Sequence, residues 1–245
     1  MPRCGVTPTD SCLVYQRRKK MKYKAIIFDM DGTIVDTEQI WHLSTRKLIT
    51  NRGITLSEEL LVELESKLNG MALPQSCQLI KDTVNLSEPI EELMIENTRL
   101  ACNLYSSETI KFIDGFVEFH QQVRTLNLKT SIATNANDET LRITNQFLQL
   151  EQFFGSHIYN LSHVNNMGKP NPALYLHAAK QLEIDPTECI AIEDSAHGIA
   201  AARAAGMFCI GINTSHKPEQ IKDADLKING YHEIRLLDLV QINNK

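Results

Sequence analysis

The chain has 245 residues, of which 42% are apolar, and its formal net charge at pH 7 is −5. This length suffices for one large domain or for a domain that carries a smaller insert. The net negative charge and the lack of a long basic run argue against a nucleic-acid partner, which would require clustered lysine and arginine.

The first twenty residues differ in character from the rest of the chain. They hold its only basic cluster, Arg17 to Lys20, which we interpret as a solvated tail rather than a docking patch. They lack the apolar centre of a secretory signal, and the longest apolar stretches elsewhere are too short to span a bilayer. Residues 1–20 are therefore predicted to be a disordered leader or the product of an upstream start site, and no membrane contact is expected.

Six cysteines are scattered along the chain without the short paired spacings of a zinc site. This distribution is typical of reduced thiols and does not suggest a disulfide framework. Cys189 and Cys209 lie in apolar runs and are predicted to be small core residues. These features together predict a soluble cytoplasmic protein.

Short apolar runs alternate with helical patterns through most of the chain. The runs are AIIF (25–28), TSIAT (130–134), HIYN (157–160), CIAI (189–192) and FCIGI (208–212). Continuous apolar runs are typical of strands that are buried on both faces of a parallel sheet. Apolar residues at helical spacing predict helices at 115–126, 139–150, 172–182 and 196–205. The alternation predicts a doubly wound α/β fold with a mainly parallel, Rossmann-like sheet.

Residues 37–108 break this alternation. Helical patterns occur at 37–52, 57–68 and 89–105, with no convincing strand between them. An all-helical insert after the first strand is the simplest interpretation, and it leaves 21–36 and 109–245 to form the α/β core. Open α/β folds bind ligands at the carboxyl ends of their strands, so the insert is expected to lie above the ligand site.

The first apolar run ends in concentrated negative charge, in the stretch KAIIFDMDGTIVDTE (24–38). If Asp29 ends the first strand, its carboxylate faces the crevice at the carboxyl edge of the sheet. Gly32 then permits a sharp departure of the backbone. Taken alone, these residues could equally form a solvated Asp-Gly turn, so the other strand ends must decide between a turn and a site.

Polar residues also follow the other apolar runs. Thr134 and Asn135 follow the second run, Lys169 lies in a loop before a helix that begins at proline, and Glu193 and Asp194 follow the fourth run. These groups can meet in one pocket if their strands are neighbours. Such a set suits a magnesium ion and a phosphate, because Mg²⁺ prefers oxygen ligands from a few carboxylates and from substrate phosphate.

Electrostatic repulsion favours a site over a turn. A carboxylate can act as a nucleophile and form an aspartyl-phosphate. At roughly 4 Å and an effective dielectric of about 20, the repulsion between that carboxylate and a dianionic phosphate is about 8 kcal/mol. A barrier of this size would slow the reaction by a factor of roughly 10⁶. A divalent ion and one lysine can offset that penalty, whereas a solvated turn needs neither. We therefore interpret Lys169 and Asp194 as functional residues.

Two carboxylates in one pocket suggest divided roles, because one can stay ionised while the other holds a proton. Asp29 is expected to attack phosphorus in line. Asp31 is expected to protonate the leaving alcohol and then to accept a proton from the hydrolytic water. Thr134 and backbone N–H groups near Asn135 are expected to bind the non-bridging oxygens. The alternative for Thr134 is a hydroxyl bonded only to nearby backbone.

These residues resemble the four motifs of the haloacid dehalogenase superfamily, in the branch that includes β-phosphoglucomutase and many small-molecule phosphatases. FDMDGTIVDTE is similar to the first motif, Thr134 falls on the second, Lys169 on the third, and EDSAHGIAAARAAGM is similar to the fourth. The resemblance extends from Met21 to about Ile228. Four motifs in the right order form a far more specific signal than any one of them.

The resemblance implies a role for each motif residue. Asp29 is the implied nucleophile and Asp31 the implied general acid and base. Mg²⁺ is implied as the cofactor, bound by Asp29, by Asp194 and by the backbone carbonyl of Asp31. Glu193 is implied to contact these metal ligands without binding the ion itself, or to bind the ion through a water molecule. The helical insert is implied to be a mobile cap.

The insert departs from the mutases of this branch, which carry an arginine shortly after a Lys-Gly pair to hold a second phosphate. Here the stretch is LNGMALPQS, with no cation before Lys81. His42 is displaced by one position from a cap histidine of the mutases, a rotation of about 100° on a helix, and Trp41 is interpreted as packing within the insert. These departures favour hydrolysis of a small phosphorylated metabolite, such as a sugar or polyol phosphate.

Three alternatives stay open. A β-phosphoglucomutase-like phosphomutase would move phosphate between two positions of a sugar. A receiver-like phospho-acceptor also gathers acidic residues and a lysine above a parallel sheet, although the chain length and the insert argue against it. A catalytically silent binding protein is disfavoured by the intact set of motif residues.

Overall fold

The computed structural model describes residues 22–106 and 109–236. The predicted leader at 1–20 lies outside these residues. Within these residues, six strands form one sheet: β1 (Ala25–Phe28), β2 (Lys129–Ala133), β3 (Ile158–Tyr159), β4 (Cys189–Glu193), β5 (Phe208–Ile212) and β6 (Leu226–Ile228). Their order is β3-β2-β1-β4-β5-β6, and every neighbouring pair is parallel. The doubly wound α/β fold predicted from the alternation is confirmed.

Four helices lie between β1 and β2 in an insert, and the others connect or flank the strands. The insert contains α1 (Glu38–Thr50), α2 (Glu58–Leu68), α3 (Leu73–Val84) and α4 (Ile90–Cys102). The core helices are α5 (Phe116–Thr125), α6 (Asp138–Leu148), α7 (Glu151–Phe154), α8 (Ala173–Gln181) and α9 (Ala196–Ala204). Short 3₁₀ turns occur at Leu161–Val164, Pro186–Glu188 and Tyr231–Glu233.

The central strand β1 separates two hydrophobic clusters. Ile26 and Phe28 belong to the cluster that α5 covers. Ala25 and Ile27 belong to the cluster on the opposite face, which α8 and α9 cover. Because helices cover both faces, all four residues of β1 are buried, as a continuous apolar run predicts. Asp29 is the first residue beyond this strand, and it emerges at the carboxyl edge of the sheet.

The helical insert has a hydrophobic cluster of its own, to which all four helices contribute: Leu48, Ile49, Leu64, Cys77, Ile80, Leu86 and Leu93. On its surface, Arg46 of α1 binds Glu58 and Glu65 of α2, and Arg52 binds Glu88 and Glu96. The predicted insert after the first strand is thus present and helical. Its boundaries as a separately moving domain, 37–108, stay a prediction.

The thiols and the helix lengths agree with the sequence analysis where the structure describes them. Cys77, Cys102, Cys189 and Cys209 carry free thiols, and Cys189 and Cys209 are fully buried, as predicted for small core residues. The other two cysteines lie outside the described residues. In the described part of the chain, no helix combines the length and the apolarity needed to cross a membrane.

Candidate active site

Neighbouring strand ends gather the predicted residues around one buried lysine. Asp29 follows β1 and its backbone N–H donates to the Ile192 carbonyl of the neighbouring β4. Asp194 follows β4. The Lys169 ammonium, from the loop before α8, donates to Asp29 Oδ1 and to Glu193 Oε1 at 2.5 Å each. The lysine side chain is 1% exposed, so both carboxylates hold its charge inside the protein.

Glu193 is held by donors on both of its oxygens. Oε1 accepts from Lys169 and from the Tyr175 hydroxyl at 2.8 Å, and Oε2 accepts from the Ser195 hydroxyl at 3.1 Å. A Cβ at position 198 would lie 1.7 Å from Glu193 Oε1, so glycine is required there. These contacts fix the carboxylate that in turn fixes Lys169.

Asp29, Glu193 and Asp194 form an acidic cluster that fits a metal ion. One carboxylate oxygen of each lies within 4.8 Å of the others, and all three residues are buried. A Cβ at Gly32 would lie 2.2 Å from Asp194 Oδ2. Glycine at this turn therefore leaves room for the Asp194 carboxylate. Buried oxygen ligands of this kind suit a hard divalent cation.

The ionisation of the acidic cluster also favours a cation. Burial raises the pKa of Asp29 to about 8, although the Lys169 ammonium opposes the shift. Burial raises the pKa of Asp194 well above its ordinary value, with further repulsion from Asp29 and Glu193. Burial alone would lower the pKa of Lys169, but the two carboxylates raise it overall, so the ammonium stays charged. A divalent cation would stabilise the ionised carboxylates that one lysine cannot fully balance.

Asp31 lies at the same sheet edge and is held by groups from the start of the insert. The Thr37 hydroxyl donates to Asp31 Oδ1 at 2.6 Å. Burial raises the pKa of Asp31, while the hydrogen bonds from Thr37 and Trp41 lower it. This carboxyl group is therefore oriented, and it can hold or release a proton beside Asp29.

Thr134 and Asn135 lie where predicted, but their side chains also have structural partners. The Thr134 hydroxyl oxygen accepts from the Ala136 N–H at 3.0 Å, and a hydrogen bond from this hydroxyl helps to lower the pKa of Asp31. Asn135 Oδ1 accepts from the Lys169 N–H at 2.9 Å, and Asn135 Nδ2 donates to the Gly70 carbonyl at 3.0 Å. Asn135 thus braces the lysine loop and joins it to the insert, contacts that the sequence did not suggest.

The insert closes the site from above and encloses a cavity of about 120 Å³. Its wall includes Trp41 and His42 of α1 together with Asn97 of α4. Contrary to its predicted packing within the insert, Trp41 packs against the core cluster and also lines the cavity. The one-residue displacement predicts that His42 turns away from the site. This prediction is wrong, because the face of α1 that borders the cavity includes both Trp41 and His42.

Direct contacts hold the insert against the core at this edge. Lys217, which follows β5, donates to Glu38 Oε1 at 2.8 Å, and Gln220 donates to the Ser66 carbonyl at 3.0 Å. Gly70 has φ +72°, and a Cβ there would lie 2.3 Å from Ser195 Oγ. The loop between α2 and α3 therefore rests directly on the start of α9.

A sequence profile of the family described as haloacid dehalogenase-like hydrolase matches residues 26–212. The chain belongs to the haloacid dehalogenase-like hydrolases. It is 26% identical to β-phosphoglucomutase of Bacillus subtilis, over 87% of this chain and 92% of that protein. It is 26% identical to hexitol phosphatase B of Escherichia coli, over 88% of this chain and 96% of that protein.

A solved haloacid dehalogenase-like structure has the same fold. The crystal structure of a family IA, variant 3 hydrolase from Entamoeba histolytica is 28% identical to this chain and aligns with a TM-score of 0.76. The alignment covers 88% of this chain and 97% of that structure. The resemblance drawn from the four motifs is confirmed at the level of family and fold.

The motifs did not indicate a role for three residues of the site: Thr37, Tyr175 and Asn97. Thr37 lies within the first motif, but its hydroxyl acquires a role only because the chain folds back so that it reaches Asp31. Tyr175 occupies a buried position of α8, where the helical pattern shows only that the residue faces the core. Asn97 lies between apolar residues of α4, and its polarity at a buried position is the one feature that could have identified it.

Proposed function

We propose that this haloacid dehalogenase-like hydrolase is a Mg²⁺-dependent phosphatase that hydrolyses a small-molecule phosphomonoester, a sugar or related metabolite phosphate. The observation that carries this proposal is the buried Lys169 ammonium, which bridges Asp29 and Glu193 at 2.5 Å. A lysine at a carboxylate nucleophile offsets the repulsion between that nucleophile and a phosphate. The kinship with hexitol phosphatase B supports the same activity.

In the proposed mechanism, two aspartates divide the chemistry. An Asp29 carboxylate oxygen forms a bond to phosphorus as the bond from phosphorus to the alcohol oxygen breaks, and Asp31 donates a proton to that departing oxygen. Water then attacks phosphorus, the bond to Asp29 breaks, and Asp31 takes a proton from the water. The products are the alcohol and inorganic phosphate, and both aspartates return to their initial states.

The other residues bind and orient. Asp29, Asp194 and the backbone carbonyl of Asp31 would hold Mg²⁺, which when bound supplies positive charge between the carboxylates and the phosphate. Thr134 and the backbone N–H of Asn135 are proposed to donate to the non-bridging oxygens. Glu193, whose oxygens are already occupied by Lys169, Tyr175 and Ser195, is proposed to position the lysine rather than to bind the metal directly.

We also propose that the helical insert acts as a cap that opens for substrate and closes before the attack. Several of its contacts with the core are polar, such as Lys217 with Glu38 and Asn135 with the Gly70 carbonyl. Polar contacts of this kind are easily exchanged for water, so they add little to the cost of opening. Closure would exclude bulk water during transfer of phosphate to Asp29.

The lack of a lysine or arginine among the described residues that line the cavity favours hydrolysis over mutase activity. Lys81, the first cation after the Asn-Gly pair, donates to the Ser87 and Glu88 carbonyls, and Arg46 is bound to Glu58 and Glu65. A mutase must hold a second phosphate, and no free cation is positioned in this wall to do so.

The second candidate is a sugar phosphomutase, because the chain is as similar to β-phosphoglucomutase as to hexitol phosphatase B. The two activities differ in their product. Incubation with a hexose 1-phosphate and a trace of its bisphosphate would yield hexose 6-phosphate if the protein is a mutase. Release of inorganic phosphate, with no isomerised sugar phosphate, would support the phosphatase.

The direct test is phosphate release from a panel of phosphomonoesters with and without Mg²⁺. Asp29→Asn and removal of metal by a chelator are each expected to lower turnover by more than about 10³-fold, because each removes an essential catalytic group. Asp36→Asn is the matched control, since Asp36 belongs to the same segment but is exposed. Full turnover by Asp29→Asn, or by the chelated enzyme, would refute the proposal.

A further inference from the structure

Two polar atoms of the insert are buried at the cavity without a hydrogen-bond partner, His42 Nε2 and Asn97 Oδ1. Both residues line the cavity above the acidic cluster. The other described residues with a buried unpartnered side-chain atom do not line it: Tyr105, Ser131, Thr144, His197 and Asn213. Of the three such side chains that the structure describes in the insert, two therefore lie where a substrate would sit.

Asn97 is poorly explained as a structural residue. It is 2% exposed, and its neighbours one turn away on α4, Leu93 and Ala101, are fully buried and apolar. A buried carbonyl oxygen without a donor is unfavourable, whereas an apolar side chain of similar size would fill the same position without that penalty. The carboxamide is therefore expected to be completed by a group that enters the cavity.

The chemistry of these atoms indicates which group that is. A carbonyl oxygen only accepts hydrogen bonds, so Asn97 Oδ1 requires a donor. A phosphate dianion or a carboxylate has no proton to donate, but a hydroxyl group donates one hydrogen bond and accepts others. The same hydroxyl, or its neighbour on a polyol chain, can serve His42 Nε2 as donor or acceptor, whichever its tautomer requires.

The charges around this wall reject a second anion. Glu38 lines the cavity, with its Oε1 3.7 Å from His42 Nε2, and Glu65 Oε2 is 3.7 Å from His42 Nδ1. The cations that reach this part of the insert are bound, Lys217 to Glu38 and Arg46 to Glu65. A leaving group that carried a second phosphate would meet carboxylates without a free positive partner.

We infer that Asn97, together with His42 of the same cavity wall, is a specificity-determining residue that accepts a hydrogen bond from a hydroxyl of the leaving group. The site then takes hydroxyl-bearing and otherwise uncharged phosphomonoesters, and it discriminates against phosphates that lack the hydroxyl or carry a second phosphate. This inference rests on the proposed function, because it assigns the substrate class of the same site.

The test uses matched pairs of substrates that differ only in hydroxyl groups: glycerol 3-phosphate with propyl phosphate, and glucitol 6-phosphate with hexyl phosphate. The wild-type protein is expected to prefer the hydroxylated member of at least one pair by roughly 100-fold or more in kcat/KM, because a site built to pair with a substrate hydroxyl discriminates against the analogue that lacks it. Glucitol 1,6-bisphosphate is expected to react at least about tenfold more slowly than the monophosphate.

Asn97→Leu is expected to reduce the preference to within about threefold, while kcat/KM for propyl and hexyl phosphate stays at or above its wild-type value. Its Tm should stay the same or rise, because the substitution removes an unpartnered buried acceptor. Asn103→Leu is the matched control, since Asn103 is exposed at the end of the same helix. The control should retain the full preference.

Two outcomes would overturn the inference. One is a wild-type protein that hydrolyses both members of each pair equally well. The other is an Asn97→Leu protein with a lower Tm and an equal loss of kcat/KM on all substrates, which is the signature of a structural residue. If no substrate is hydrolysed, the proposed function fails, and equilibrium binding of the same pairs still tests Asn97. Equal binding of both members by the wild-type protein would then reject its role.

Discussion

Lys169 depends on its neighbours for both its charge and its position. A buried ammonium is stable only while hydrogen-bonded carboxylates surround it, and Asp29 and Glu193 supply that environment. Asp29 must leave the lysine in part to attack phosphorus, so Glu193 is the partner that stays. The donors that hold Glu193 in place therefore act on the reaction through Lys169.

Replacement of Tyr175 by phenylalanine tests this positioning role. Tyr175→Phe removes the hydroxyl that donates to Glu193 Oε1 at 2.8 Å and leaves the ring in its buried place. A hydrogen bond to a charged group is worth about 1.5–3 kcal/mol, so kcat should fall by about tenfold or more, with a smaller change in KM. Steady-state kinetics on the best substrate measure both quantities.

Tyr159→Phe is the matched control for that substitution. Tyr159 is also buried, and its hydroxyl forms a hydrogen bond of 2.8 Å, but the partner is His157 at the edge of the sheet. This variant should keep kcat within about twofold of wild type, because its effect is confined to stability. Equal kcat values for both variants would show that the Tyr175 hydroxyl does not position the lysine.

At the scale of single residues, the functional groups at strand ends could be predicted from the sequence, whereas those on helices could not. Asp29, Lys169 and Asp194 could be predicted to meet, because the carboxyl ends of neighbouring parallel strands share one edge of the sheet. Tyr175 and Asn97 are buried positions in helical patterns. Periodicity shows that such a position faces inward, but it does not show which residue of another element lies opposite.

At the scale of elements, the loop between α2 and α3 lies directly against the core. Gly70 presses on Ser195, the N-cap residue of α9, and Ser195 in turn contacts Glu193. The fit of this loop therefore connects the closed position of the insert with the group that orients Lys169. A side chain at position 70 should disturb that fit.

Gly70→Ala is expected to lower kcat/KM by about tenfold or more, because its Cβ would lie 2.3 Å from Ser195 Oγ and would keep the insert from closing fully. Gly53→Ala is a matched control in the same insert. Gly53 has a similar φ, +70°, but a Cβ there meets nothing within 4 Å. Both variants should lose about 1 kcal/mol of stability to backbone strain.

Comparison of the two alanine variants separates strain from steric obstruction. Activity should fall in Gly70→Ala alone, while the free energies of unfolding of the two variants should be similar. If Gly53→Ala loses as much activity as Gly70→Ala, then strain within the insert, and not contact with Ser195, controls the rate. Phosphate release and urea denaturation of both variants supply the two measurements.

Sequence patterns predicted the buried elements well, and they predicted poorly those that bury few residues or are very short. The runs at β1 and β5 match the strands residue for residue, and the four predicted core helices agree within two residues at each end. The sequence analysis did not identify α3, which buries only Cys77 and Ile80, or β6. A strand of three residues, LKI, is too short to produce a periodic signal.

At the scale of the whole molecule, stability depends on an aromatic cluster beneath the sheet that contains one histidine. His120 of α5 is 1% exposed and packs against Phe116 and Phe154 at ring-centroid distances of 5.7 and 5.0 Å. Its Nε2 lies 3.3 Å from the Thr130 hydroxyl. No acidic residue is among the groups that shift its pKa, so this position favours the neutral ring.

This burial makes His120 a source of acid sensitivity. Burial lowers the pKa of His120 from 6.5 to about 4, with a smaller contribution from Arg124. As the pH falls below 6.5, the unfolded chain binds a proton at this residue before the folded protein does, so the free energy of unfolding decreases until the pH reaches about 4. The expected loss down to pH 4.5 is about 2 kcal/mol, less than the full shift implies because the folded protein itself begins to bind the proton as the pH approaches 4.

His120→Leu should remove that loss whatever its effect on stability at neutral pH. The quantity to measure is the difference between the free energies of unfolding at pH 7 and pH 4.5, from urea denaturation of each variant. It should shrink by about 2 kcal/mol in His120→Leu. It should be unchanged in His232→Leu, because the His232 side chain is 80% exposed. The buried carboxylates of the active site, whose raised pKa values act in the opposite direction, are common to all three proteins and cancel in the comparison. An unchanged difference in His120→Leu would mean that the folded protein binds a proton at His120 as readily as the unfolded chain does, and that acid sensitivity has its origin elsewhere in the core.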